Sequence, residues 1–201
     1  YAITGSGLTV TSGNYAVSVQ QAASNATALT VLPAQLTYVA NTISREYGEF
    51  NPPTIDGVVT GLKNGQTLDE VVDGLLSFDT SIPINEATNA GIYGIFGSGL
   101  TVTDTNYALN IIQAPGNATA FTIVPAQLYY RAFTSSRIYG DPENAYDGEI
   151  IGLKLDQTLD SITDGTAVFT TTATATSNVG FHAINGAGLT VVNGTYQLTI
   201  L

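Results

Sequence analysis

One stretch of twenty residues occurs twice. Residues 29–48 read LTVLPAQLTYVANTISREYG and residues 121–140 read FTIVPAQLYYRAFTSSRIYG, in register without a gap. Each copy opens as an alternating apolar run, the period of a strand with one buried face. Each breaks at Pro33 or Pro125 and resumes as a second alternating run that ends in Tyr-Gly. Proline fixes φ and removes a backbone donor, so it suits a stiff joint better than the middle of a sheet. The stretch therefore reads as the last strand of one module, a short joint, and the first strand of the next.

The rest of the chain keeps the same period. GSGLTV at 5–10 and 97–102 becomes GAGLTV at 186–191, and each is followed by a turn and a strand: 12–19, 104–111 and 193–200. ASNATALTVLP (23–33) matches PGNATAFTIVP (115–125), and GLKNGQTLDEVVDG (61–74) matches GLKLDQTLDSITDG (152–165). The unit is roughly ninety residues, a period that marks tandem modules. Residues 1–33 are the C-terminal part of one unit, 34–125 a complete unit, and 126–201 a further unit that stops before its last strand. The chain starts at Tyr1 and holds no methionine, which we take as the mark of a processed product or a segment of something longer.

Within the complete unit, alternation predicts strands over 36–40, 55–60, 75–79, 91–95, 100–103, 107–112 and 118–124. Asp56-Gly57 is expected to mark a bulge. Gln66–Asp73 is the one expected helix, with Thr67 and Glu70 at capping-box spacing and Gly74 as its left-handed cap. Residues 45–48 are expected to close the first strand. The order β-β-α-β and then more β points to mostly β modules with one short helix each. A mixed sheet curling over that helix is a β-grasp arrangement. The alternative is an immunoglobulin-like β-sandwich in which the helix is only a turn.

Composition narrows the function. Charged residues make up 10% of the chain, against about 25% in an ordinary soluble domain, so Thr, Ser, Asn and Gln must cover the surface. That is the habit of secreted β-proteins. The net charge is −11 and the cations are Arg45, Lys63, Arg131, Arg137 and Lys154. Phosphate neutralisation needs clustered cations, which argues against nucleic acid and anionic membranes. No run of about eighteen apolar residues is present to span a membrane.

Enzymatic chemistry finds little to work with. The chain has no cysteine and one histidine, His182, which excludes a Ser/His/Asp or Cys/His site in each repeat and a His-rich zinc site. His182 fills the slot held by Tyr1 and Tyr93 in the other copies and reads as a strand residue replacing an aromatic. We therefore expect no catalytic, cofactor-binding or metal-binding residues. Matched Asp56/Asp147, Asp69/Asp160 and Asp73/Asp164 raise structural calcium, but no loop carries the dense Asp/Asn pattern such a site needs. Asp-Gly turns and helix N-termini account for the first four. Lys63 and Lys154, each in Gly-Leu-Lys before a turn, suggest exposure more than an isopeptide cross-link. Tyr38/Tyr130, Tyr47/Tyr139 and Tyr15/Tyr107/Tyr196 could stack on sugars but more readily pack the sheets. Arg45/Arg137 are expected to pin a loop. Asn25, Asn117 and Asn193 head Asn-x-Thr sequons, to which we give no weight.

Taken in order, the Leu-Thr-Tyr-x-Ala, Ser-Arg-x-Tyr-Gly, x-Asp-Gly, Gly-Leu-x-x-x-Gln-Thr-Leu and Gly-x-Gly-Leu-Thr segments resemble the MBG repeat of Tyr-Gly type. The resemblance covers the whole chain. It implies a β-grasp-like module of large bacterial surface and secreted adhesins, filamentous-haemagglutinin-like proteins among them. It carries over no binding residue. An extracellular, cell-surface or matrix location follows from it, and so does a semi-rigid stalk or fibre body. Two alternatives remain: a filament subunit whose neighbours complete one another by strand addition, and a carbohydrate- or mucin-binding module. The expected partners are neighbouring repeats or subunits, and on the last alternative cell-surface glycans.

Overall fold

A computed structural model describes residues 1–199. Thirteen strands appear in it: β1 (Thr37–Ala40), β2 (Ile43–Glu46), β3 (Gly57–Thr60), β4 (Val72–Thr80), β5 (Gly91–Tyr93), β6 (Ile95–Val102), β7 (Ile112–Gln113), β8 (Phe121–Val124), β9 (Ala126–Ala132), β10 (Gly148–Ile151), β11 (Thr163–Thr170), β12 (Asn185–Val191) and β13 (Tyr196–Thr199). One short helix, α1 (Leu159–Ile162), and three 3₁₀ turns complete the list. The strands form sheets ordered β3-β1-β7, β2-β8-β5, β4-β6, β10-β9-β13 and β11-β12. The chain is mostly β, as expected.

The chain divides into two units. The first comprises Tyr1–Thr37, Thr60–Gly74 and Leu100–Ile112. Leu36, Val71, Val72, Val102 and Tyr107 are buried there. Ala34 bridges Tyr107 in parallel. The Tyr107 hydroxyl donates to Gln66 Oε1 and accepts from the Lys63 amide, both at 2.8 Å. Residues 1–33 contribute no buried side chain. They retain local bonds: Tyr1 and Leu29 exchange backbone hydrogen bonds, and the Gln21 side chain brackets Gly5 from both sides.

The second unit comprises Tyr38–Val59, Leu75–Gly99 and the chain from Gln113 onward. Phe121 and Ile123 of β8 are fully buried, with Ile95, Leu128 and Ile162. β8 runs parallel to β2, Ile43 opposite Phe121, and antiparallel to β5, Tyr93 opposite Phe121. β9 is flanked by β10, antiparallel, and β13, parallel. Tyr38 packs edge-on against Phe78, and Tyr130 repeats this against Phe169, with centroids 6.1 and 6.0 Å apart. Both tyrosines need a glycine beside them: a Cβ at Gly97 or Gly186 would lie 2.3 Å from the ring of Tyr38 or Tyr130.

Several expectations need correction. The helix over 66–73 shrinks to a 3₁₀ turn at Leu68–Glu70, although its capping box is present, with the Thr67 amide donating to Glu70. Val72 already belongs to β4, because Val71 and Val72 are both buried and an extended chain serves them. Gly74 has φ of +112° but lies inside β4, so it bends a strand rather than capping a helix. Residues 43–46 form β2 rather than closing β1. Of 107–112, only Ile112 lies in a strand, and Pro115–Thr119 coil before β8. The strand expected over 193–200 is found at Tyr196–Thr199, and Ile200 lies outside the described residues.

Candidate functional site

The first copy of the duplicated stretch ends at Tyr47-Gly48, where the Tyr47 amide donates to Val124 of the second copy and the side-chain partners Lys154, Gln157 and Tyr196 come from farther along the chain. β8 passes through Pro125 directly into β9, so a single residue separates these strands. Across this joint Tyr47 is buried and lies edge-on to Tyr196, with centroids 5.4 Å apart and planes at 71°. Tyr47 and Tyr196 both donate their hydroxyl hydrogens to Gln157 Oε1, at 3.2 and 2.6 Å. The Tyr196 hydroxyl accepts from the Lys154 amide at 2.9 Å. One amide oxygen thus gathers two phenols from opposite sides of the proline.

Gly48 is in the left-handed region, with φ of +83°, and a Cβ there would sit 2.5 Å from Lys154 Cβ. Only glycine lets the lysine stem lie so close. That stem carries Lys154 Nζ to Glu46 Oε1 at 2.9 Å. The bond to Glu46 raises the Lys154 pKa against the opposing effect of burial, and burial raises that of Tyr196.

Arg45 braces the same strand from behind. Its guanidinium donates to Asn51 Oδ1 and to the carbonyls of Glu46 and Asn85, 5.8 Å over the Phe121 ring. Burial pushes its pKa down. Arg137 repeats the pattern with the Asp141 and Thr174 carbonyls. Both arginines pin loops, as their spacing suggested.

The remaining singled-out residues scatter. Lys63 is exposed, whereas Lys154 is half-buried and paired, which corrects the expected exposure for the second lysine. Asp56 accepts from Asn41 and Asp147 from the Gly148 amide, while Asp69 and Asp160 lie in first helical turns. Among the described residues no group of three or more His, Cys, Asp or Glu is placed to hold a metal ion. Tyr38, Tyr47, Tyr107 and Tyr196 are core, and Tyr15 and Tyr139 are exposed. His182 meets the Asn178 carbonyl at 2.9 Å, as Tyr93 meets that of Asn89 at 2.7 Å, but 180–182 form no strand. The pairing partner that β5 finds in β8 has no counterpart among the described residues of this copy. Sequence reasoning missed Glu46, which Ile138 replaces in the next copy, and gave no role to Gln157, although Gln66 and Gln157 recur in Gly-Leu-x-x-x-Gln-Thr-Leu and each accepts from a matched tyrosine, Tyr107 or Tyr196.

Residues 36–119 match the MBG domain of the YGX type. The chain contains an MBG domain. Tyr47 and Gly48 lie within the matched residues. MBG domains are non-catalytic modules typical of adhesins. No curated protein and no solved structure matches the chain at a significant level. No helix among the described residues is long and apolar enough to cross a membrane.

The joint makes a pH prediction. Lys154 and Tyr196 are protonated in folded and unfolded chains at neutral pH, so their contribution is whole there. As pH rises past their ordinary values near 10, the unfolded chain releases protons first and stability falls. The ion pair is about one-third exposed, which limits it to about 1 kcal/mol. Thermal melts should show Lys154→Met slightly less stable than the parent at pH 8, with the gap closing above about pH 10.5. A gap that persists unchanged at high pH would place its cause elsewhere than the charge.

Proposed function

We propose that the chain is a structural repeat segment of an extracellular bacterial adhesin or matrix fibre, a semi-rigid stalk in which MBG modules are held in line by stiff joints. The observation that carries this is the joint itself. A one-residue proline connection, two interlocked tyrosines and a glycine that admits a lysine stem leave little freedom between consecutive copies. Function then resides in geometry: the segment holds what it carries at a fixed distance and direction. The MBG match and the low content of charged residues support an extracellular setting. The order β10-β9-β13, with the copy's first strand β9 parallel to its last strand β13 and antiparallel to its second strand β10, supports a β-grasp-like module. The sequence copies 34–125 and 126–201 are the modules so joined.

The chain has no cysteine, so a pair of introduced thiols reports distance cleanly. Spin labels at Ser81→Cys and Thr172→Cys, both exposed positions, flank the joint. A narrow distance distribution is expected in the parent. Gly48→Ala, which adds left-handed strain of about 1–2 kcal/mol and drives a methyl into Lys154, should broaden it while circular dichroism stays unchanged. A parent distribution already as broad as that of Gly48→Ala would refute a rigid joint.

A further inference from the structure

We propose that the chain resists tension applied along it, with β2 and β8 acting as a shear clamp that Tyr196, Gln157 and Lys154 of the following copy lock. The proposal rests on the stalk reading and adds a force-bearing function to it.

A chain under tension yields according to the strands that carry the pull. In the copy 34–125 the pull enters through β1 and β2 and leaves through β8 into Pro125. β2 and β8 are parallel neighbours, with Ile43 to Glu46 opposite Phe121 to Val124. The Ile43 amide donates to the Ala120 carbonyl at 2.8 Å and the Tyr47 amide to that of Val124 at 2.9 Å, at the two ends of this ladder. Upstream, the carbonyls of Leu36 and Tyr38 accept from Ile112 and Ala114, advancing in the same sense. Tension draws β2 toward its N-terminal end and β8 toward its C-terminal end. For parallel strands these directions are opposite, so the strands are driven to slide and every rung is loaded at once. One backbone hydrogen bond contributes little net stability, and strands peeled from an end lose their bonds one by one. Sheared strands must lose them together. β8 is also the middle strand of its sheet, held by β5 on its other side, and sliding would drag the buried Phe121 and Ile123 past their neighbours. β9 and β13 repeat the parallel arrangement.

The lock sits at the end where β8 leaves. Tyr196 lies opposite Ala126, the residue after Pro125, so it moves with β8 under load. Tyr47 directly follows β2 and is buried edge-on against Tyr196, and the two hydroxyls share Gln157 Oε1. Lys154, whose amide donates to the Tyr196 hydroxyl, holds Glu46 of β2 at 2.9 Å. Sliding β2 against β8 must therefore pull Tyr47 from Tyr196 and Glu46 from Lys154 as the rungs break. Each of these contacts spans the plane of slip, so the following copy stiffens the clamp of the copy before it.

Single-molecule force spectroscopy of the full 201-residue chain tests this, since forced unfolding reads the unfolding barrier directly. Handles on Thr42→Cys and Val124→Cys load β2 against β8 in shear. Handles on Thr42→Cys and Ala118→Cys peel the same strands apart from their N-terminal ends, and all three positions are exposed. The unfolding force should be at least about twofold higher in shear, because the individually weak rungs break together. Tyr47→Ala should lower the shear force and leave the peeling force unchanged, because peeling begins at the opposite end of β2. Equal forces in the two geometries of the parent overturn the proposal, whether or not Tyr47→Ala folds. A Tyr47→Ala chain that loses as much force in peeling as in shear overturns the lock, since general destabilisation would then explain the loss. The label distances across the joint are read without load, so either result can fail while the other stands.

Discussion

Replacing Asn117 by leucine is expected to lower the stability of the chain by about 3–5 kcal/mol and its melting temperature by roughly 10 °C. Asn117 is 1% exposed and every part of its amide is used. Its Oδ1 accepts from the Ala40 amide at 2.9 Å, and its Nδ2 donates to the Tyr38 carbonyl at 3.0 Å and to Gln113 Oε1 at 2.9 Å. Gln113 in turn brackets Gly97 of β6, accepting from its amide and donating to its carbonyl. One buried amide therefore holds β1 and β7, and β6 through Gln113. Leucine keeps the volume and strands the partners, each costing about 1–3 kcal/mol when left without a hydrogen bond. The matching control is Asn25→Leu. Asn25 donates to Gln21 as Asn117 does to Gln113, but it lies where no side chain is buried. It should shift stability by no more than about 0.5 kcal/mol. Denaturant titrations of the two variants decide the matter, and equal losses would show that burial is not what makes the cluster matter.

That contrast shows what the sequence could convey. Gln21/Gln113 and Asn25/Asn117 recur four residues apart, so the cluster was visible as a repeat. Its energetic weight was not, because burial depends on whether a first strand such as β1 lies against it. As a bare motif, Asn117 looked like a glycosylation sequon of no consequence. The alternation of Leu36, Tyr38 and Ala40 announced β1 correctly, since a half-buried strand writes its pattern locally. The helix over 66–73 misled for the opposite reason. Thr67 and Glu70 form the capping box that their spacing announces, but a cap specifies only a start. Where the turn stops is decided by Val71 and Val72, which are drawn into the core and into β4. The joint was half legible. Tyr-Gly stood out by repetition, and Pro125 marked the place. Glu46 did not, because Ile138 takes its place in the next copy, and the repeat of Gln66 and Gln157 announced their bonds to Tyr107 and Tyr196 but not the second bond that Gln157 accepts from Tyr47.

Tyr47→Ala is expected to cost about 3–4 kcal/mol at the joint, far more than loss of the neighbouring ion pair. The ring is 4% exposed and packed against Tyr196, so truncation opens a cavity that the strands on either side of Pro125 cannot close. The hydroxyl contributes little of this. Gln157 Oε1 keeps its shorter bond from Tyr196, 2.6 against 3.2 Å, so Tyr47→Phe should cost no more than about 1 kcal/mol. Lys154→Ala should cost about as little, since its partner is one-third exposed and screened by water. Tyr139→Ala, the same residue type in the next copy but 64% exposed, should be nearly neutral. The order of these four variants in denaturant titration separates two physical accounts of the joint. If apolar packing holds it, Tyr47→Ala stands alone and added salt changes nothing. If charge holds it, Lys154→Ala approaches Tyr47→Ala and the parent weakens as salt rises, because a partly exposed ion pair is what ions screen. The geometry favours packing, with the ion pair serving mainly to lay the lysine stem across Gly48.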